Sequence, residues 1–97
     1  MILEIAEIRI KPGSQDAFDA AIRTGVETVI SKAKGFQGYK VFKGIESPER
    51  YVLQISWATL ENHTADFRGS PAFLEWRAIV GPFFAGPPMV EHFNPLA

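Results

Sequence analysis

The 97 residues of this chain, 46% of them hydrophobic, supply enough apolar material for one packed domain and leave no room for a second. A formal charge of −1 excludes the strongly basic surface that binding to nucleic acid or to an anionic membrane requires. The absence of cysteine excludes disulfides, thiolate nucleophiles and cysteine-bound metals.

The chain begins with a predicted strand over residues 2–11, in which Ala6, Ile8 and Ile10 alternate with charged residues. This segment lacks the basic region and the cleavage site of a signal peptide. No apolar run approaches the roughly 20 residues that span a bilayer. We therefore expect a cytoplasmic protein that does not contact membranes.

An amphipathic helix is predicted after this strand, from Ser14 to Lys34. Pro12 and Gly13 end the strand, Ser14 is suited to the N-cap, and Gly35 is suited to the C-terminal stop. Apolar residues recur at steps of three and four along the helix: Phe18, Ile22, Val26, Val29, Ile30 and Ala33. One face of the helix is therefore expected to pack against the rest of the domain.

Two strands are predicted next, over residues 36–45 and 51–58. Glycine and lysine residues in the first of them weaken a strand interior and discourage pairing, so we expect it at a sheet edge. The second is expected to be central because four large apolar residues alternate along one face: Tyr51, Leu53, Ile55 and Trp57.

The last third of the chain is predicted to hold two short helices and a final strand. Thr59 can cap a helix that reaches Phe67, and Ser70 with Pro71 can begin the next one. Residues 89–93 are expected to form an edge strand.

The order of elements, βαββαβ, predicts an α+β fold of the ferredoxin-like type. Residues 1–97 form a single domain in which the first and third strands occupy the middle of a four-stranded antiparallel sheet. The helices can cover only one face of this sheet. We expect Phe36, Phe42 and Phe93 on the other face, where they are too apolar to remain in water. The predicted partner is a second copy of the chain, giving a homodimer.

Several segments resemble the antibiotic biosynthesis monooxygenase family over most of the chain. They are Lys11-Pro12-Gly13, the run from Trp57 to His63, the run from Phe67 to Phe73, and Val90-Glu91-His92-Phe93. The resemblance implies a dimeric α+β barrel. It also implies one of several activities, because the family includes cofactor-free oxygenases of phenols or anthrones, quinol oxygenases and haem-degrading enzymes.

Haem degradation fits this sequence less well than the other activities. Haem-degrading relatives use an asparagine on the first strand, a tryptophan at the end of the third and an axial histidine on the following helix. Trp57 matches the tryptophan, but the other two positions fall near Ile8 and near Trp76 or Arg77. Because the axial ligand is what a haem site most requires, no haem is expected.

His63 and Arg68 are the residues predicted to perform chemistry. His63 lies three and four residues from Leu60 and Phe67, so we expect all three on one inward helix face. An inward histidine is either a hydrogen-bonded core residue or a general base that removes a phenolic or anthrone proton. Arg68 is either a surface residue or a cation at a pocket rim that stabilises the resulting anion.

Aromatic residues are the predicted substrate contacts, although each is also explained by core packing. The resemblance implies that Trp57 faces the substrate, and helix spacing brings further rings to the same region. The substrate-binding candidates are Trp57, Phe67, Phe73, Trp76 and His92. His92 has no ionisable partner in its spacing and is also suited to a subunit interface. No histidine spacing supplies a metal site.

The preferred function is a cofactor-independent monooxygenase of a small aromatic or quinol-type molecule, with no cofactor and no metal. Two alternatives use the same pocket. One is a non-catalytic dimeric barrel that binds a small hydrophobic metabolite, and the other is an isomerase that acts by proton transfer alone.

Overall fold

Four strands and two helices follow one another in the order βαββαβ in a computed structural model that describes Met1–Ala97. The elements are β1 (Ile2–Arg9), α1 (Gln15–Thr28), β2 (Phe36–Lys43), β3 (Arg50–Trp57), α2 (Pro71–Val80) and β4 (Met89–Phe93). The strands form one antiparallel sheet in the order β2-β3-β1-β4. The predicted α+β ferredoxin-like fold is confirmed, including the central position of β1 and β3. No helix is long and apolar enough to cross a membrane.

The core lies between the helices and one face of the sheet. Side chains of β1 and β3 alternate strictly, because β1 pairs with β3 in unbroken register from Ile2 opposite Trp57 to Arg9 opposite Arg50. The helix side of β3 carries Tyr51, Leu53, Ile55 and Trp57, all nearly inaccessible to solvent. They pack against apolar residues of α1 such as Phe18, Ile22 and Val26, which confirms the predicted helix face.

The first helix is shorter than predicted. It ends at Thr28, and a turn of 3₁₀ helix over Ile30–Lys32 replaces its expected last turns. The hydroxyls of Thr28 and Ser31 donate hydrogen bonds to the carbonyls of Thr24 and Glu27, at 2.7 and 2.6 Å. These side chains compete for helix acceptors and favour a change of geometry. Ser14 stands at the N-cap, but its hydroxyl makes no capping hydrogen bond.

Phe36 does not lie on the open face of the sheet, contrary to prediction. Phe36 pairs with Trp57 while Gly38 pairs with the adjacent Ser56, so the strand contains an irregularity that inserts one extra residue. The insertion reverses the alternation, and the Phe36 ring packs edge-on against Trp57 with centroids 6.3 Å apart. Phe42 and Phe93 do remain on the open face, each about half exposed.

The segment Asn62–Phe67 is a turn of π-helix rather than an α-helix. Asn62 N–H donates to the Thr59 hydroxyl at 3.2 Å, which confirms Thr59 as the cap. The wider turn aligns residues four apart, so His63 and Phe67 are both buried with nearly parallel rings. Leu60, three residues before His63, is exposed, and its predicted inward position is wrong. Such turns occur often at functional sites.

Candidate functional site

A cavity of about 430 Å³ lies between the helix side of the sheet and the α2 region. Its floor comes from β1 and β3, and one wall comes from the π-helical turn. Most of the lining is apolar, including the aromatic residues Phe67, Phe73, Trp76 and Phe84. Its polar residues are few, namely Glu4, His63, Arg68 and Arg77. An apolar cavity with a few converging polar groups is typical of a small-molecule site.

Glu4 is a buried carboxyl on the floor of this cavity. Strand alternation turns its side chain to the helix side, where the residue is only 5% exposed. Its Oε1 atom accepts a hydrogen bond of 2.9 Å from the indole N–H of Trp57. The same oxygen lies 3.4 Å from Nε2 of His63. The carboxyl is therefore held between an indole and an imidazole.

His63 connects Glu4 to His92. Its Nδ1 atom lies 2.7 Å from Nε2 of His92, and His92 is the cross-strand partner of Glu4 in the pairing of β1 with β4. The three side chains thus form a continuous chain, Glu4–His63–His92. When Glu4 is ionised, it accepts a hydrogen bond from His63 Nε2–H, and His63 Nδ1 accepts one from His92 Nε2–H. When Glu4 is protonated, it donates to His63 Nε2, and His63 Nδ1–H donates to His92 Nε2. A proton transfer at the Glu4 end therefore changes the tautomers of both histidines.

Burial changes the proton affinities along this chain. It raises the pKa of Glu4 above its ordinary value, although the Trp57 hydrogen bond and the Arg68 charge act in the opposite direction. Burial, with smaller effects from Arg68 and His92, lowers the pKa of His63 to about 4. Burial and Arg68 also lower the pKa of His92. Burial therefore brings the proton affinities of the carboxyl and the neighbouring imidazole closer together than they are in water.

Trp57 does not contribute to the cavity wall, in contrast to its expected contact with substrate. The side chain is completely buried behind His63, and the two rings are stacked with centroids 5.3 Å apart and an interplanar angle of 16°. Its indole N–H is used by Glu4. This position holds the carboxyl and the imidazole in place, and it leaves no ring face open to a ligand. His92 also lies outside the lining and contacts His63 instead.

The remaining predicted residues, His63, Phe67, Arg68, Phe73 and Trp76, all line the cavity. Trp76 packs directly over Gly25 of α1, where an added Cβ would lie 2.7 Å from its ring. Glycine at this position therefore allows α2 to approach α1 closely and sets the depth of the Trp76 ring.

Two charged cavity residues, Glu4 and Arg77, were not among the predicted site residues. A signal for Glu4 was available, since extending the alternation of Ala6 and Ile8 back by two residues puts Glu4 on the buried face. A carboxyl at a core position marks a functional candidate. No local signal distinguishes Arg77 from other helix-surface arginines. No group of three or more histidine, aspartate or glutamate side chains is arranged to hold a metal ion.

Comparison with known proteins identifies the family. The model of the antibiotic biosynthesis monooxygenases matches residues 1–79. The uncharacterized protein YczJ of Bacillus subtilis (strain 168) is 39% identical over 94 residues, which cover 97% of this chain and 98% of YczJ. A protein from Bordetella bronchiseptica, provisionally named antibiotic biosynthesis monooxygenase, has a crystal structure that matches this one with a TM-score of 0.93. The two sequences are 40% identical, and the match covers 99% of this chain and 97% of the Bordetella chain.

A similarly named protein from Nitrosomonas europaea has the same fold, with a TM-score of 0.81 at 23% identity over 98% of this chain and 89% of its own. The family model extends over β1, the π-helical turn and nearly all of α2, and the relative from Bacillus matches 97% of the chain. The chain belongs to the antibiotic biosynthesis monooxygenase family.

Proposed function

We propose that the protein is a cofactor-independent monooxygenase of an electron-rich aromatic molecule such as a phenol, quinol or anthrone. The observation that carries the proposal is the Glu4–His63–His92 chain, whose carboxyl end lies on the floor of an aromatic-lined cavity. A base in an apolar cavity is what formation of a substrate carbanion or phenolate requires.

In this proposal Glu4 and His63 act together as the base. Burial raises the pKa of the Glu4 carboxyl and lowers that of His63, so the two groups can exchange a proton, and His63 passes it onward to His92. Arg68, on the cavity wall, stabilises the developing negative charge, and its effect on the Glu4 and His63 pKa values supports a position close enough to do so. Phe67, Phe73 and Trp76 hold the planar ring and exclude water.

The substrate supplies the electrons for the reaction with O₂. For an anthrone-type CH₂ carbon, the base removes one proton and the delocalised anion reduces O₂, which gives a carbon-bound peroxide. Loss of the second C–H proton with cleavage of the O–O bond forms a C=O group and releases water. One CH₂ group and one O₂ are thus converted to one carbonyl and one H₂O.

Oxygen uptake with a panel of quinols and anthrones tests this function on the wild type and on His63→Ala. We expect uptake with at least one compound, and a fall of about 10²–10⁴-fold in the variant, the range typical of general-base removal. Unchanged uptake in the variant would exclude His63 from the base. Ligand binding without uptake would favour a binding protein, and conversion without uptake would favour an isomerase.

The proposal includes a homodimer through the open face of the sheet. Apolar side chains from all four strands lie there: Leu3, Ile5, Phe42, Val52, Met89 and Phe93. Met89 is 66% exposed and Phe42 is 48% exposed in the single chain, although they lie on a continuous sheet face. A face of this kind favours association with a second copy, as in a sheet-to-sheet barrel.

Sedimentation equilibrium tests the homodimer. We expect a dimer for the wild type and a shift to monomer in Phe42→Asp, because a carboxylate would have to be buried in an apolar interface. Leu74→Asp is the matched control, since Leu74 is 71% exposed on α2, away from the sheet. A wild-type monomer, or equal dissociation of both variants, would contradict this assembly.

A further inference from the structure

We infer that the substrate carries a permanent anionic group, such as a carboxylate, which the Arg77 guanidinium recognises at the cavity wall. The inference rests on the proposed function only in assuming that the reacting molecule occupies the same cavity. It assigns a binding role to a residue outside the Glu4–His63–His92 chain.

The first observation is that the cavity has more positive than negative charge to offer a ligand. Arg68 and Arg77 both line it, and the chain's three ion pairs include neither arginine. Glu4 is the only carboxyl in the lining, and it is engaged by Trp57 and His63. Both arginines are solvent-exposed in the single chain, so their guanidinium groups are accessible to an anionic group of a ligand.

The second observation is that the Arg77 guanidinium lies over two aromatic rings of the cavity. Its guanidinium carbon lies 5.9 Å from the ring centre of Phe73 and 5.8 Å from that of Phe84, and both rings line the cavity. A guanidinium that stacks on an aromatic ring contacts it through its flat face. Its N–H groups point outward in the guanidinium plane and remain free to donate to a planar acceptor. A carboxylate matches that arrangement with two parallel hydrogen bonds.

The two arginines have different surroundings, which separates their roles. The Arg68 charge acts to lower the pKa of each of Glu4, His63 and His92, although burial raises the Glu4 pKa overall. Arg68 therefore lies within electrostatic reach of the proton-transfer chain. Arg77 affects none of these groups. Arg68 is therefore suited to charge that develops at the reacting carbon or oxygen, and Arg77 to charge that the substrate already carries. A substrate held between them is oriented with its anionic group directed away from Glu4.

Calorimetric titration with 1-hydroxy-2-naphthoate and its carboxamide tests the inference without any need for turnover. The two probes share ring and shape and differ in charge. We expect the wild type to prefer the carboxylate by about 10- to 100-fold, the range for a hydrogen-bonded charge pair. Arg77→Gln should abolish most of that preference and leave carboxamide binding nearly unchanged. Arg23→Gln, an equal change of charge on α1 outside the cavity, should retain it.

Three results would overturn the inference: equal wild-type affinity for both probes, a preference that survives in Arg77→Gln, or a preference that is lost only in Arg68→Gln. Thermal unfolding of each variant verifies that the fold is intact. The binding data are independent of oxygen chemistry. Carboxylate preference without oxygen uptake by any compound would contradict only the proposed oxygenase, and uptake with neutral quinols without carboxylate preference would contradict only the role of Arg77.

Discussion

Glu4→Gln is expected to lower kcat/KM by about 10²–10⁴-fold, as large an effect as that of His63→Ala. Glutamine preserves the size of the side chain and can still accept the hydrogen bond that Trp57 donates at 2.9 Å. It cannot accept a proton at neutral pH. The substitution therefore removes the proposed base while leaving its surroundings in place. Steady-state kinetics with the best substrate from the oxygen-uptake panel measures the change.

The pH dependence separates a catalytic from a structural role for Glu4. In the wild type, kcat/KM should rise as Glu4 ionises, on a limb shifted above the ordinary pKa of 4.5, and Glu4→Gln should lose that limb. Stability should change in the opposite direction. Folding raises the Glu4 pKa, so the carboxyl stabilises the folded state fully at pH values below its pKa in the unfolded chain. This stabilisation is lost as the pH rises through the Glu4 pKa of the folded protein.

The Tm of Glu4→Gln should therefore fall less than the Tm of the wild type when the pH is raised from acidic to alkaline values. Glu75→Gln, on the exposed surface of α2, is the matched control and should leave rate and stability unchanged. A variant with full activity and an unaltered pH profile would show that Glu4 is not the base.

Gly35→Ala is expected to lower the free energy of unfolding by about 2–5 kcal/mol, the largest stability effect. Gly35 has φ +84°, and a residue with a Cβ atom pays about 1–2 kcal/mol there. The new methyl group would also overlap the side chain of Asn62. Asn62 is buried and hydrogen-bonds to Thr59 and Asp66, so its displacement adds about 1–3 kcal/mol.

Gly13→Ala is the matched control because Gly13 has nearly the same φ, +81°, with open space where the Cβ would lie. It should lose only the backbone contribution of about 1–2 kcal/mol. Thermal denaturation at fixed protein concentration compares the two, and the Gly35→Ala Tm should be lower by at least about 10 °C than that of the wild type. Equal losses in both variants would show that the Asn62 contacts contribute little.

The residues that line the cavity could be predicted only in part. His63, Phe67 and Trp76 were expected to point inward because helical spacing and aromatic content are local signals. The partner of His63 was not foreseen, since His92 lies 29 residues away in the chain and meets His63 only after β4 pairs with β1. Trp57 was expected beside the ligand, but its position behind His63 depends on the π-helical turn, which has no clear sequence signature.

The sequence by itself determined the fold class, the order of the strands and the apolar buried faces of β1, β3 and α1. The alternation in β1 and β3 and the three- and four-residue steps in α1 repeat over many residues. A single residue that departs from the pattern therefore does not change the predicted element. Tertiary structure alone decided the chemistry of the site. The proton affinity of Glu4 depends on how much water it loses and on Trp57, His63 and Arg68, which the chain brings to it from more than 50 residues away.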